Sequence, residues 1–261
     1  DGGFVETAKL CSFYLEAKEI SKNYSTPVKS INYTDGKWTL YSAEQTEIAQ
    51  SRTVIIANSH CLTQFNQTGF LPISVSHGYS NWLEATSKRC KLTHVICGNK
   101  TIFPTTSHRD NSNLVAATYD KSLTKSSKLK AAKENMSGAN QAFTGQYFLL
   151  NKNKDSEIGT RCGTPDRVPY IGRVPKYAHT IRDLAHLRRD AKAEFNIADE
   201  CFFPNLYISA GHGSNGLSTS SFGAEILASL INGDPVPISK QHLSVTCPSR
   251  VIIRDLKKQR I

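Results

Sequence analysis

Residues 205–231 restrict the fold more than any other stretch. Leu206, Tyr207 and Ile208 form a short apolar and aromatic run, the pattern of a buried strand. Gly211-His212-Gly213-Ser214-Asn215-Gly216 follows, a turn with three glycines. Beyond it, Phe222, Ile226, Leu227, Leu230 and Ile231 share one face of a helix predicted over residues 218–231. Asn232-Gly233-Asp234-Pro235 stops that helix, with a glycine past the last turn and a proline soon after. Strand, glycine turn and helix start together make an anion site. Glycines let the backbone approach a ligand, and free N–H groups point out of the helix N-terminus.

The turn is a literal G-x-G-x-x-G, so a dinucleotide pyrophosphate site is one reading. That motif should open a βαβ unit of about 30 residues and place an acidic residue on the ribose. Here the helix runs into Asp234-Pro235-Val236-Pro237, and Asp234 falls in a turn rather than at a strand end. Two further readings stay open: a strand-to-helix turn whose glycines serve packing, and a helix N-terminus aimed at the ring system of a flavin.

The rest of the chain supplies the context. A first helix is predicted from about Thr7, with Leu10, Phe13, Tyr14, Ala17 and Ile20 on its buried face. Residues 28–33 alternate as a strand, Thr34-Asp35-Gly36-Lys37 turns the chain, and residues 38–41 pair back. Thr53-Val54-Ile55-Ile56-Ala57 is continuously apolar, as for a strand buried on both faces in a parallel sheet. It ends in Asn58-Ser59-His60, small and polar residues at the strand end where open α/β sheets bind ligands. From about Leu71 the texture changes to short strand candidates (73–79, 100–103 and 114–119), implying an antiparallel layer. Lys121, Lys125, Lys128, Lys130 and Lys133 then mark an exposed helix or loop. Residues 159–172 are dense in glycine, proline and charge. Ile181, Leu184, Leu187, Ala191 and Phe195 suggest one more amphipathic helix.

Charge narrows the partners. A net charge of +10 permits a polyanion such as RNA, with a solvated surface as the plainer explanation. No apolar run approaches a membrane span, so no membrane segment is expected. The seven cysteines (Cys11, Cys61, Cys90, Cys97, Cys162, Cys201 and Cys247) show no C-x-x-C pair and no zinc spacing. Reduced thiols, no metal and a cytoplasmic location are the expectation. The only methionine is Met136, so residue 1 is expected not to be a translation start.

Two of these stretches in combination resemble a known family. The order is a strand ending in small polar residues, an antiparallel insertion, Arg161-x-x-Thr164-Pro165-Asp166-x-x-Pro169-x-Ile171-Gly172, and then strand, glycine turn and helix. It resembles the D-amino-acid oxidase-like family of FAD-dependent amine oxidases, which includes glycine and sarcosine oxidases. Within that family it is most similar to a branch that modifies the wobble uridine of tRNA. The likeness runs from Gly2 to the basic residues 250–260, and is loosest across residues 120–147.

The resemblance implies an α/β (α+β) fold. A three-layer ββα FAD-binding domain would be formed by residues 1–70 and 205–261, incomplete at its N-terminus. Residues 71–204 would form an inserted antiparallel-sheet substrate domain. The family's own G-x-G-x-x-G and ribose-binding acid would lie upstream of Asp1, as would a fused methyltransferase. The chain alone is therefore expected to bind FAD poorly, with strands 53–57 and 206–208 each short of a neighbour. FAD contacts are implied for Val28, Ala57, Asn58, Ser59, His60, Gly211, His212, Gly213, Ser214, Asn215, Gly216 and Leu217. Ser59 stands where the resemblance predicts glycine, and Asn215 where it predicts arginine.

The implied reaction removes a carboxymethyl group oxidatively from the wobble uridine. Arg161 would hold the substrate carboxylate, since guanidinium binds carboxylate bidentately. An arginine paired with Asp166 is the alternative. His212 would touch the flavin, with a role as base left open, and Tyr79 would line the substrate face. An oxidase of a free small amino acid, and a non-catalytic module binding RNA or a partner, are the competing functions.

Overall fold

The computed structural model describes residues 4–86, 92–104, 112–143, 147–151 and 156–261; Gly2 and Cys90 lie outside them. The elements in chain order are α1 (Thr7–Leu15), β1 (Ser30–Thr34), β2 (Lys37–Tyr41), β3 (Glu47–Ser51), β4 (Val54–Ile56), β5 (Ser74–Ala85), β6 (Ile96–Cys97), β7 (Thr101–Phe103), β8 (Ser112–Asp120), α2 (Lys125–Gln141), β9 (Phe148–Leu150), β10 (Glu157–Gly163), β11 (Tyr170–Pro175), α3 (Tyr177–Asp183), β12 (Phe202–Ala210), α4 (Gly216–Asn232), α5 (Lys240–Thr246) and α6 (Ser249–Lys257). They form two compact units: Asp1–Tyr24 with Ser76–Thr160, and Ser25–Val75 with Arg161–Ile261.

The second unit has three layers. Its central sheet has the order β11-β12-β4, with β12 antiparallel to β11 and parallel to β4. Alternation along β12 sends Leu206 and Ile208 to one face and Tyr207 to the other. On the first face they pack with Ile31 and Trp38 from the hairpin β1–β2, and with Ile56, Leu62, Phe65 and Leu71. Trp38 is fully buried, and its indole N–H donates to the Pro204 carbonyl at 2.8 Å, so the large ring carries no unmet polar group. On the other face Tyr207 and Ile171 meet Ile226 and Leu227 of α4. Each such aliphatic side chain contributes about 1.5–3 kcal/mol on burial. Asp35 (φ 52°) and Gly36 (φ 78°) make the two-residue left-handed turn that suits a β1–β2 hairpin. Gly233 (φ 77°) closes α4 in the left-handed region, as its sequence predicts.

The first unit carries an antiparallel sheet ordered β10-β5-β8-β7-β6, with β9 also on β5. Leu83, Ile102, Val115 and Phe148 form its core with Ala139 of α2. The lysine-rich stretch is therefore an amphipathic helix. Ala131, Ala132, Asn135 and Gly138 are buried in it, and the Thr124 hydroxyl caps it by accepting from the Ser127 N–H.

Four expectations need correction. α1 forms but buries no residue: Phe13 and Tyr14, 69% and 59% exposed, leave its apolar face largely open among the described residues. β4 is buried on one face only: Ile55 is 47% exposed because β4 is the sheet's edge among the described residues. Residues 206–208 do not lack a neighbour, since β11 and β4 flank β12 on both sides. The helix read through Phe195 ends with α3 at Asp183 and a 3-10 turn, Ala185–Arg188. Sequence reading also missed β3 and α5, and placed Phe222 and Ile231 on a buried face where they are 45% and 37% exposed.

Candidate functional site

Parallel pairing of Leu206 to Val54 and Ile208 to Ile56 brings β12 and β4 out of the sheet at the same end. These are carboxyl ends, where α/β sheets place ligands. Beyond β4, Ala57 is exposed and Asn58 is half-buried. Both amide atoms of the Asn58 side chain are sealed from solvent without a hydrogen-bond partner. Leaving such groups unmet costs about 1–3 kcal/mol. Ser59 takes φ 55°, the left-handed conformation that glycine adopts freely, and His60 is exposed.

Beyond β12 the glycine turn is defined by contacts. Gly211 has φ 73°, and a Cβ there would sit 2.7 Å from Thr164 Cγ2, so both conformation and space demand glycine. Gly213 also lies in the left-handed region, at φ 59°. His212 is clamped between two hydroxyls. Thr219 Oγ1 donates to the Asn215 carbonyl at 2.8 Å, so it accepts from the imidazole Nδ1–H at 2.9 Å. Nε2 is then left to accept from Ser209 Oγ at 3.1 Å. Burial pushes the His212 pKa below its ordinary value, in keeping with this neutral tautomer. Ser214 and Asn215 are exposed, as is Leu217 at 53%. No side chain caps α4 and no acidic residue occupies its first turn, which leaves its positive end available to a ligand.

The 159–172 stretch meets this turn directly. Gly163 forms an isolated antiparallel bridge with His212. Arg161, half-buried in β10, is two residues from Gly163 and so projects from the same face of the strand. Asp166 is occupied elsewhere. Arg250 grips it with Nε to Oδ2 at 3.0 Å and Nη2 to Oδ1 at 3.1 Å, and Arg254 approaches at 3.4 Å. Burial alone would raise the Asp166 pKa. The bonds and charge of Arg250, with Thr164 and the Val168 N–H, outweigh that and hold it at about 2. Arg250 also stacks on Tyr170, 4.4 Å from the ring centroid, and donates to the carbonyls of Pro169, Thr246 and Val168.

Two further expected site residues are held by internal contacts. Val28 precedes β1, half-buried against the core, and its carbonyl accepts from Gln64. Tyr79, expected on a substrate face, is 1% exposed in the first unit, with its hydroxyl donating to the Ser122 carbonyl at 2.7 Å. Ser209 and Thr219 were missed. Their spacing of three and seven residues around His212 becomes meaningful only once the strand-to-helix turn is built.

An uncapped helix end, an orphaned asparagine amide beyond the neighbouring strand and glycine-only backbone between them fit the planar, polar-edged ring system of a flavin. The matching family profile, "DAO: FAD dependent oxidoreductase", covers residues 1–230. The chain belongs to this family of FAD-dependent oxidoreductases. Over 251 residues it is 27% identical to the tRNA 5-methylaminomethyl-2-thiouridine biosynthesis bifunctional protein MnmC of Legionella pneumophila (strain Philadelphia 1), covering 96% of this chain and 36% of that protein. Its identity to the Vibrio vulnificus protein of the same name is 30% over 231 residues, 87% of this chain and 32% of that one. It thus spans about a third of the length of these curated relatives. Among solved structures, glycine oxidase from Geobacillus kaustophilus superposes with a TM-score of 0.57 at 17% identity, over 86% of this chain and 52% of that one. Iminodiacetate oxidase from Chelativorans sp. BNC1 gives 0.55 at 16%, over 82% and 51%. These two likenesses concern the fold. No described helix is long and apolar enough to cross a membrane, and the described residues hold no metal-binding cluster.

Proposed function

We propose that the chain is the oxidoreductase part of a flavoenzyme acting on the wobble uridine of tRNA, in the cytoplasm and joined to a methyltransferase. It would remove a carboxymethyl group oxidatively from the uridine's amine and leave an aminomethyl group. Similarity over 96% of the chain to proteins named for this tRNA modification supports the substrate class, and the net charge of +10 suits it. The orphaned Asn58 amide carries the flavin reading, because a buried amide with no internal partner is explained by an external one.

The unit Ser25–Val75 with Arg161–Ile261 would hold the cofactor, and the antiparallel sheet of the other unit would serve the substrate. When bound, FAD supplies the hydride acceptor for the carbon beside the amine nitrogen. The chain's own residues supply orientation and field. N–H groups at the start of α4 stabilise negative charge facing them. Asn58, with Ala57, Ser59 and His60, would provide polar contacts from the β4 side. His212, held neutral by Ser209 and Thr219, fixes the shape of the glycine turn. Arg161 would bind the carboxylate of the leaving carboxymethyl group, and Arg250's hold on Asp166 favours this over an Arg161–Asp166 pair.

The test supplies FAD and tRNA bearing the carboxymethylaminomethyl group to the full protein containing this chain, and follows flavin bleaching and the uridine product by mass. Bleaching by glycine or sarcosine but not by that tRNA would overturn the substrate assignment. Arg161→Met should lower turnover roughly ten- to a hundredfold, the worth of one charge-assisted hydrogen bond, while flavin content stays unchanged. Unchanged kinetics at full flavin loading would remove Arg161 from the site.

A further inference from the structure

A second concavity lies in the same unit, lined by residues of α5, α6 and the 195–197 segment, with a volume of about 650 Å³. That is within the range of about 300–1,000 Å³ typical of small-ligand sites and leaves room for a nucleoside. Ile197, Leu243, Val245 and Ile253 line it with Phe195. Lys240, Lys257 and Lys258 line it too, and among the described residues no carboxylate pairs with any of the three. Of the acids in the groove lining and on α6, Asp166 is engaged by Arg250 and Arg254, and Asp255 by Arg254 and Arg260; the exposed Glu194 stands beside Phe195 in sequence. Over residues 240–261, six Lys and Arg face one acid, Asp255. Phe195 is 39% exposed, with the Lys257 ammonium 5.1 Å from its ring centroid. The wall is rigid: Ile252 and Leu256 are buried against Leu184 and Leu187, and Arg188 Nε donates to the Ile261 carbonyl at 2.7 Å.

We propose that this groove is an RNA-docking surface that seats one unstacked base on Phe195, while Lys240, Lys257 and Lys258 hold the flanking phosphates. It rests on the tRNA reading above and adds a place of contact outside the candidate flavin site. Aromatic faces between cations are the arrangement that holds single-stranded nucleotides without sequence preference. A concave floor favours a flat base over a lipid surface, which would call for apolar groups standing out beyond the lysines.

The test is fluorescence anisotropy of a labelled tRNA transcript with the full protein at several salt concentrations. Lys257→Gln/Lys258→Gln should weaken binding tenfold or more and lower the log–log salt slope by ~0.7–0.9 per lost phosphate contact. Phe195→Ala should weaken it roughly 5- to 150-fold and leave the slope unchanged. Lys240→Gln/Lys258→Gln, which leaves the Phe195 ring contact intact, keeps the test readable if Lys257 proves necessary for folding. Wild-type affinity in these variants, with a loss in Lys125→Gln/Lys133→Gln on α2 instead, would overturn the surface and leave the tRNA reading standing. Absence of salt-dependent RNA binding by the wild type would overturn both. Sedimentation with phosphatidylglycerol vesicles, lost in the same variants while RNA affinity is kept, would reassign the groove to a membrane.

Discussion

The turn at residues 163–168 and the turn at residues 211–216 meet at the Gly163–His212 bridge, yet their polar groups are used differently. In the first, the single Thr164 hydroxyl proton is shared between Asp166 Oδ1 and the Val168 carbonyl, both within hydrogen-bond reach, and both Asp166 oxygens accept from Arg250. In the second, His212 is fixed by its neighbours, but the helix it introduces is uncapped, and the amide of Asn58 beyond the adjoining strand is unmet. A turn whose one carboxylate is already held by two arginines has little left to offer a ligand. One bordered by unmet groups is arranged for something that comes from outside.

The largest way to break this contrast is at its point of contact. Gly211→Ala should cost about 1–2 kcal/mol for the left-handed backbone and a further 1–3 kcal/mol for the collision with Thr164. Gly36→Ala, also at positive φ but with nothing within 4 Å, should cost only the first part. Urea melts of both variants check this, and equal losses would show that Thr164 yields.

Next in size, Asp166→Asn should destabilise by roughly 1.5–3 kcal/mol, because Arg250, its side chain only 12% exposed, loses a charged acceptor. The pH dependence has a defined sign. The folded carboxyl titrates at about 2 and the unfolded one near 3.8, so its contribution is complete above pH 3.8 and lost as pH falls toward 2. Acid titration of the wild type beside Asp166→Asn should show that loss in the wild type alone.

Asn58→Ala sharpens the contrast by reversing the sign. Removing an unmet buried amide should leave the flavin-free protein as stable or more stable by about 1 kcal/mol, while flavin binding weakens. Loss of stability without loss of flavin would make Asn58 an ordinary structural residue. The smallest effect belongs to His212. Its folded pKa lies below the unfolded 6.5, so stability should be full above that value and decline as pH falls beneath it. Thermal melts across this range should show the decline flatten in His212→Gln.

The parts of this fold that local pattern controls were legible in the chain. Leu206-Tyr207-Ile208, the three glycines and the Gly233 stop specify strand, turn and helix, and the structure reproduces each. The Asp35-Gly36 hairpin was legible for the same reason. What was not legible depended on partners distant in sequence. Phe13 and Tyr14 have helical spacing, but spacing does not say whether another element will cover them. Ile55 reads as interior because its run is apolar, and only the sheet order reveals an edge. Among site residues, the glycine turn itself was readable. Thr219's role at His212 and Arg250's hold on Asp166 were not, the latter joining residues 84 positions apart.

That last pairing closes a circuit. From Asp166 the chain passes through β11, β12, the glycine turn and α4 before Arg250 returns it to its starting point. Ring closure over such a length sacrifices chain entropy that grows only slowly with the number of residues enclosed, so one two-pronged clasp can hold a long detour together. The circuit makes residues near position 250 part of the frame of a turn they never touch. Trimming the chain before α6, by protease or by an early stop codon, would open the loop at Asp166 and free Thr164, the residue packed against Gly211. Damage at one end of the molecule's wiring would thus be felt first as slackness at the other.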